Sequence, residues 1–143
     1  MKRVRQILIA EDNLADLELI KSAFEEINLY AEITIVKDGQ ELLDFFENDN
    51  IEDLGLVLLD LNLPKIDGMD ILKKFYDDEV LRKIPIVVFT SSNDYDKIIS
   101  CYEYGANACI KKPEDIGEFG KIIRATTNFW LEINVLPSFK AVA

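Results

Sequence analysis

The sequence predicts an α/β fold: one doubly wound domain with a parallel sheet and helices on both of its faces. Three observations carry this. Short apolar runs such as Ile7-Leu8-Ile9-Ala10 and Leu56-Val57-Leu58-Leu59 recur along the chain. Each closes at once in polar turn residues, which fits strands buried on both faces better than helices. Between the runs lie stretches with apolar residues at helical spacing. Strand-helix alternation from end to end argues crossovers onto a parallel sheet, and right-handed crossovers leave few topologies open.

Gln6 to Ala10 reads as the first strand. Asp16 to about Leu29 reads as an amphipathic helix, with Leu17, Ile20, Ala23, Phe24 and Ile27 on one face. Ile33 to Val36 is a short second strand, and Gly39 to about Glu47 is a second helix carrying Leu42, Leu43 and Phe46. After the acidic loop Asn48 to Asp53, Leu56 to Asp60 forms the third strand and Met69 to Tyr76 the third helix. Asp67-Gly68 between them reads as a turn, with Gly68 supplying a positive φ and Asp67 bonding local backbone. Pro85 to Thr90 is the fourth strand, since proline is tolerated at a strand start. Tyr95 to Tyr104 follows as a helix whose inner side is expected to carry Tyr95, Ile98, Ile99 and Tyr102. Gly105-Ala106 gives it a glycine stop. Ala108 to Lys111 is the last strand. The last helix is expected from about Asp115 to Asn134, with Ile116, Phe119, Ile122, Ile123, Thr126, Phe129, Trp130 and Ile133 at helical spacing. Phe129 is assigned to the core, while Trp130 is left open between core and a partner surface.

The 143 residues are expected to form one domain over 1–143, with a core of about 6–134 and a short tail, 135–143. A composition of 49% hydrophobic and 30% charged residues fits a globular chain rather than a disordered one. The formal charge of −11, from 27 acidic against 16 basic residues, repels a phosphate backbone and argues against a nucleic-acid partner. No apolar stretch approaches a membrane span, and Lys2, Arg3 and Arg5 precede too short an apolar run for a signal peptide. A cytoplasmic protein without a membrane partner is expected. Cys101 and Cys109 are too few for a disulfide scaffold and read as small buried or half-buried residues. The chain has no histidine, which removes imidazole metal sites and Ser-His or Cys-His nucleophile pairs.

The strand ends collect the chemistry. The first strand ends in Glu11-Asp12, the third in Asp60, the fourth in Thr90-Ser91, and the fifth in Lys111-Lys112-Pro113. In an open parallel sheet, ligands bind beyond the carboxyl ends of the strands. Each part alone has a plain structural reading: Glu11 and Asp12 as acids before a helix, Asp60 as a turn residue, Thr90 as part of a loop. Together they make a hard-oxygen cluster suited to Mg²⁺, with a carboxylate placed to attack a phosphoryl group. Thr90 and Lys112 have the chemistry to hold the remaining phosphoryl oxygens.

With these residues assembled, the chain resembles the receiver domain of two-component response regulators over about Gln6 to Ile123. The likeness rests on Ile9-Ala10-Glu11-Asp12, on Leu58-Leu59-Asp60-Leu61-Asn62-Leu63-Pro64 with Asp67-Gly68, on Val88-Phe89-Thr90-Ser91-Ser92, and on Gly105-Ala106 leading to Lys112-Pro113. The resemblance implies a flavodoxin-like (βα)5 domain with strand order 2-1-3-4-5. It implies that Asp60 accepts a phosphoryl group from a histidine kinase. Asp12 and Asp60 would ligate Mg²⁺ directly, with the backbone carbonyl of Asn62, and Glu11 would act through water. Thr90 would hydrogen-bond the phosphoryl group and Lys112, directly before Pro113, would pair with it. Lys111 is expected on the opposite face of the strand.

A narrower likeness, in Ile84 to Ser92, in Phe129-Trp130-Leu131-Glu132 and in Leu136-Pro137, is to the small stand-alone regulators that partner bacterial phytochromes. It implies a phytochrome-type kinase and a homodimer through the fourth and fifth helix region, with Val135 to Phe139 folding back to support it. The roughly ten residues after the last expected helix boundary are too few for an effector domain. Output is then expected through altered protein contacts, self-association or onward phosphoryl transfer. Cys109 departs from the family, in which an aromatic ring commonly occupies that position and reorients on activation. An aspartyl-phosphate phosphatase of the haloacid-dehalogenase kind shares the chemistry, but places its nucleophile in an Asp-x-Asp pattern after the first strand. A flavodoxin-like FMN carrier needs a Ser/Thr/Gly-rich loop where this chain has Glu11-Asp12-Asn13-Leu14-Ala15-Asp16. A degenerate receiver that never takes phosphate is disfavoured by the complete acid, threonine and lysine set.

Overall fold

The structure is a computed structural model that describes residues 5–27, 31–49 and 51–136. Its strands are β1 (Arg5–Ala10), β2 (Ala31–Val36), β3 (Leu54–Leu59), β4 (Ile86–Thr90) and β5 (Ala108–Lys111). They form one sheet in the order β2-β1-β3-β4-β5, and each neighbouring pair is parallel. The helices are α1 (Leu14–Glu26), α2 (Gly39–Asn48), α3 (Gly68–Tyr76), α4 (Tyr95–Glu103) and α5 (Ile116–Asn128). The expected doubly wound fold and strand order are therefore present.

Alternation along the strands builds two cores. Leu8, Ala10, Val57, Leu59 and Val88 meet Leu42 and Phe45 of α2, Ile71, Leu72 and Phe75 of α3, and Cys101 of α4. Ile7, Ile9, Leu56, Leu58, Val87 and Phe89 face the other way, onto Leu17, Ile20 and Phe24 of α1 and Phe119 and Ile123 of α5. With helices on both sides, β3 is buried at every residue, which is why its sequence runs apolar without alternation. Polar caps start the helices: the side chains of Asn13, Asp38, Asp67, Asp94 and Asp115 each accept a backbone N–H from the first turn. Part of the acidic excess is thus spent on helix starts rather than on binding.

Four expectations are corrected. Helix α1 begins at Leu14 rather than Asp16, because Asn13 takes the cap position; Leu29, its expected end, lies outside the described residues. On α4 the stripe Tyr95, Ile99 and Tyr102 faces outward, at 78%, 52% and 53% exposure, and the buried residue is Cys101. Ile98 is half-buried. The positive φ near Pro64 belongs to Lys65 (67°), not to Gly68. Gly68 is needed for space instead, since a Cβ there would lie 2.6 Å from the Asp60 carbonyl oxygen and from Leu61 Cα. Finally, α5 gives way after Asn128 to a π-helical turn, Phe129–Ile133. That turn leaves Phe129 45% exposed rather than in the core and buries Leu131 instead. Trp130 is half-buried and meets Phe129 edge-on. Gly105 does end α4 in the left-handed region (φ 85°), as its sequence context suggests. Of the apolar tail, Val135 is exposed and Leu136 half-buried, while Pro137 to Phe139 lie outside the described residues.

Phe75 anchors the α3 side of the sheet, 1% exposed and edge-on to Phe46 with ring centroids 4.6 Å apart. Phe75→Ala should lower stability by about 3–5 kcal/mol. Equilibrium denaturation checks this, as a lower midpoint at unchanged m-value; a midpoint within error of the parent would contradict the packing described.

Candidate functional site

Backbone register brings the strand ends together. Ala10 pairs with Leu59 across β1 and β3, and Asp60 N–H donates to the Ala10 carbonyl at 3.0 Å. Glu11 N–H donates to the Val36 carbonyl at 3.0 Å, which continues β1 by one residue. Glu11 and Asp60 therefore leave adjacent strands at the same level. Carboxylate oxygens of Glu11, Asp12 and Asp60 all lie within 4.8 Å of one another. On the other side of Asp60, Thr90 pairs with Lys111 across β4 and β5, and Lys112 N–H donates to the Thr90 carbonyl at 2.8 Å. Lys111 is exposed, while Lys112 turns inward as alternation requires.

The Lys112 ammonium joins the cluster. Its Nζ donates to Glu11 Oε1, to Asp16 Oδ2 at 2.8 Å and to Asp60 Oδ2 at 3.0 Å, with 9% of the side chain exposed. An ammonium has three protons, and each has an acceptor. The other oxygens of Glu11 and Asp60 are tied to backbone. Asp60 Oδ1 accepts from Asn62 N–H at 3.0 Å, and Glu11 Oε2 accepts from Asp12 N–H at 3.1 Å and Asn13 N–H at 3.3 Å. Asn62 itself is exposed in the loop that leaves β3. Gly68 N–H donates to the Leu61 carbonyl at 3.0 Å, so the start of α3 lies directly against the Asp60 loop. Thr90 is buried, and its Oγ1 accepts from Ser92 N–H at 3.3 Å. Asp12 is exposed at the mouth of the crevice.

Charge governs these groups. Burial comes first in holding the Glu11 carboxyl up to about 7, and the neighbouring Asp60 adds to it against the pull of Lys112. Burial works to lower Lys112, but its bonds to Asp16 and Glu11 and the charges of Glu11 and Asp60 outweigh it and raise the ammonium. The thiols take no part. Burial pushes Cys101 up to about 11, with Cys109 adding to it, and burial raises Cys109 as well. Both stay protonated, as thiols rather than nucleophilic thiolates. Cys109 instead offers its backbone N–H, which donates to the Tyr102 hydroxyl at 3.2 Å.

The donor set fits a hard divalent cation: three carboxylates converge, all offering oxygen ligands, and one of them, Glu11, is a buried acid whose pKa is raised first by its burial and then by Asp60. Of the residues picked from the sequence, Glu11, Asp12, Asp60 and Lys112 are in one cluster. Thr90 stands at the adjacent strand end and Asn62 just beyond Asp60. The sequence reading missed Asp16, which it treated as a helix start. The only sequence signal for it was an acid in the first turn of the helix that leaves β1.

Comparison with known proteins agrees with this geometry. The response regulator receiver domain family matches residues 7–124. Response regulator Rcp1 of Synechocystis sp. is 34% identical over 136 residues, covering 92% of this chain and 92% of its own length. The crystal structure of the phosphorylated cyanobacterial phytochrome response regulator RcpA superposes with a TM-score of 0.89 at 34% identity, covering 95% of this chain and all of that one. The Mn²⁺-bound form of response regulator Rcp1 gives a TM-score of 0.85 at 33% identity, covering 94% and 99%. The family match over residues 7–124, the shared fold and the near-complete mutual coverage leave one assignment. The chain belongs to the response regulator receiver domain family, a family of signalling domains rather than classical enzymes.

Proposed function

We propose that the protein is a stand-alone response regulator in which Asp60 accepts a phosphoryl group, with Mg²⁺ bound, from a histidine kinase acting in trans. The observation that carries this is the convergence of Glu11, Asp12 and Asp60 at adjacent strand ends, with Lys112 inserted among them. In the reaction an Asp60 carboxylate oxygen forms a bond to phosphorus as the P–N bond of a phosphohistidine breaks. The imidazole leaves with the electron pair and takes up a proton. Asp12, Asp60 and the Asn62 carbonyl would hold Mg²⁺, with Glu11 acting through water; the ion would supply positive charge against the phosphoryl oxygens. Lys112, already on Glu11 and Asp60, would supply a second positive charge, and the buried Thr90 hydroxyl a hydrogen bond at the next strand end. The absence of histidine in this chain requires that the phosphohistidine come from a partner.

Relatives that are phytochrome response regulators support a phytochrome-type sensor kinase as that partner. The partners would meet in the cytoplasm; no helix among the described residues is long and apolar enough to cross a membrane. The outward stripe Tyr95, Ile99 and Tyr102 on α4 supports output through a homodimer formed at the fourth and fifth helix region. A contiguous apolar face of this kind suits a second copy bearing the same face about a two-fold axis.

Incubation with Mg²⁺ and a small phosphodonor should add one hydroxylamine-sensitive phosphoryl group by intact-mass analysis, and Asp60→Asn should add none. Equal labelling of the variant, or an unlabelled wild type, would remove Asp60 from the role. The raised Glu11 acid gives a pH signature. Its folded pKa lies above the unfolded value of 4.5, so the native state binds this proton more tightly than the unfolded chain does. Metal-free stability then falls as pH rises from the unfolded value toward neutrality, at no more than about 1.4 kcal/mol per pH unit. Mg²⁺ displaces that proton, so its affinity should strengthen between about pH 6 and 8 with proton release. Titration calorimetry in buffers of different ionisation enthalpy measures both, and a pH-independent affinity would refute the Glu11 assignment. Light scattering with and without beryllofluoride tests the dimer; a monomer in both states would end that reading.

A further inference from the structure

We infer that Asp16 is a positioning residue for the phosphoryl transfer, fixing the Lys112 ammonium where the incoming phosphoryl group must find it. The inference rests on the phosphoacceptor reading above and assigns a part of its machinery outside the cation cluster. Lys112 Nζ has three acceptors, Glu11, Asp16 and Asp60. Two of these, Glu11 and Asp60, also belong to the carboxylate set able to hold a metal, and Asp16 does not. A cation that draws on Glu11 and Asp60 leaves Asp16 as the one carboxylate still committed to the ammonium. Without it, a lysine with four rotatable bonds loses its anchor as the site loads, and the side chain regains rotamer freedom.

The placement is built by two elements that the sequence separates by almost a hundred residues. Asn13 caps α1 and accepts Asp16 N–H at 3.0 Å, fixing the first turn against the end of β1. Lys112 follows β5, with its backbone held by the Thr90 carbonyl at 2.8 Å. The Asp16 carboxylate is partly sheltered, with 21% of the side chain exposed, which limits competition from water for the ion pair. As the bond from Asp60 to phosphorus forms and the bond to the donor breaks, the protons that Lys112 directed at Glu11 and Asp60 are free to turn to phosphoryl oxygens. The third, on Asp16, holds the nitrogen in place. The effect is on the rate at which bound donor reacts, not on donor binding.

The test compares Asp16→Ala and Asp16→Asn with the full-length wild type, using a small phosphodonor and Mg²⁺ over a range of donor concentrations. Asp16→Ala should lower the maximal phosphorylation rate about tenfold, with the half-saturating donor concentration unchanged. Asp16→Asn keeps an oxygen acceptor of the same shape and should recover most of that rate. In a Lys112→Ala background, Asp16→Ala should have no further effect, because its target is gone. Thermal melts establish that each variant is folded; the Asn13 cap binds the backbone of residue 16 and survives both substitutions. Unchanged rates in Asp16→Ala, equal losses in Ala and Asn, additive losses with Lys112→Ala, or faster labelling in both variants would each overturn the inference. Faster labelling would show that the Asp16 charge merely repels donor. A wild type that takes no phosphoryl group at all overturns the phosphoacceptor reading, and this inference with it. A labelled wild type with an indifferent Asp16→Ala overturns the inference alone.

Discussion

The rest of the structure depends on how three carboxylates, two of them buried, are kept together at the end of the sheet. Glu11 and Asp60 are almost fully buried, and Asp12 lies beside them. Like charges at that spacing repel strongly where the dielectric is low. The chain answers with one buried ammonium, Lys112, bonded to three carboxylates, with backbone N–H groups from Asp12, Asn13 and Asn62, and with a proton retained on Glu11 up to neutral pH. Each of these offsets only part of the negative charge. The crevice thus keeps an excess of acidic groups that favours binding positive charge.

The parallel sheet creates that condition and limits its consequences. Right-handed crossovers place every strand's carboxyl end, and every helix's capped amino end, at one side of the domain. The acids accumulate where the positive ends of the helix dipoles point, which lowers the cost of gathering them. Packing on the two faces is independent of this chemistry. The cores around Phe75 and Phe119 consist of apolar residues from alternating positions and include none of the cluster residues. Gly68 is where the two requirements meet. It joins the amino end of α3 to the loop that leaves β3, and it has no room for a Cβ beside the Asp60 carbonyl.

Most of this was legible in the sequence, for identifiable reasons. Buried strands write themselves as short apolar runs, so β1, β3 and β4 and the residues at their ends could be read directly. Lys112 came from the family resemblance, in which the lysine directly precedes a proline, with alternation along β5 sending Lys111 to the other face. What escaped the sequence is what depends on direction or on distant pairing. The spacing of Tyr95, Ile99 and Tyr102 defines a helix face, but periodicity does not say whether that face looks inward; Cys101, an inconspicuous residue, is the one that α4 buries. Asp16 has an ordinary role in its own helix, and its contact with Lys112 comes from the other end of the chain. Phe129 leaves the core because the π-helical turn inserts an additional residue, shifting the phase of the apolar face so that Leu131 points inward.

The bond from the Cys109 backbone to the Tyr102 hydroxyl has a consequence for the sheet's border. β5 is a terminal strand of the sheet, and an outward N–H on such a strand is an invitation to any extended peptide. Here α4 leans a phenol over the border and takes that donor itself. The same tyrosine, half exposed, stands in the apolar stripe of α4. Helix and border are therefore latched by one side chain: a displacement of α4 that withdraws the ring also uncovers the strand. The cover over this part of the β5 border and the apolar stripe of α4 thus share the Tyr102 side chain.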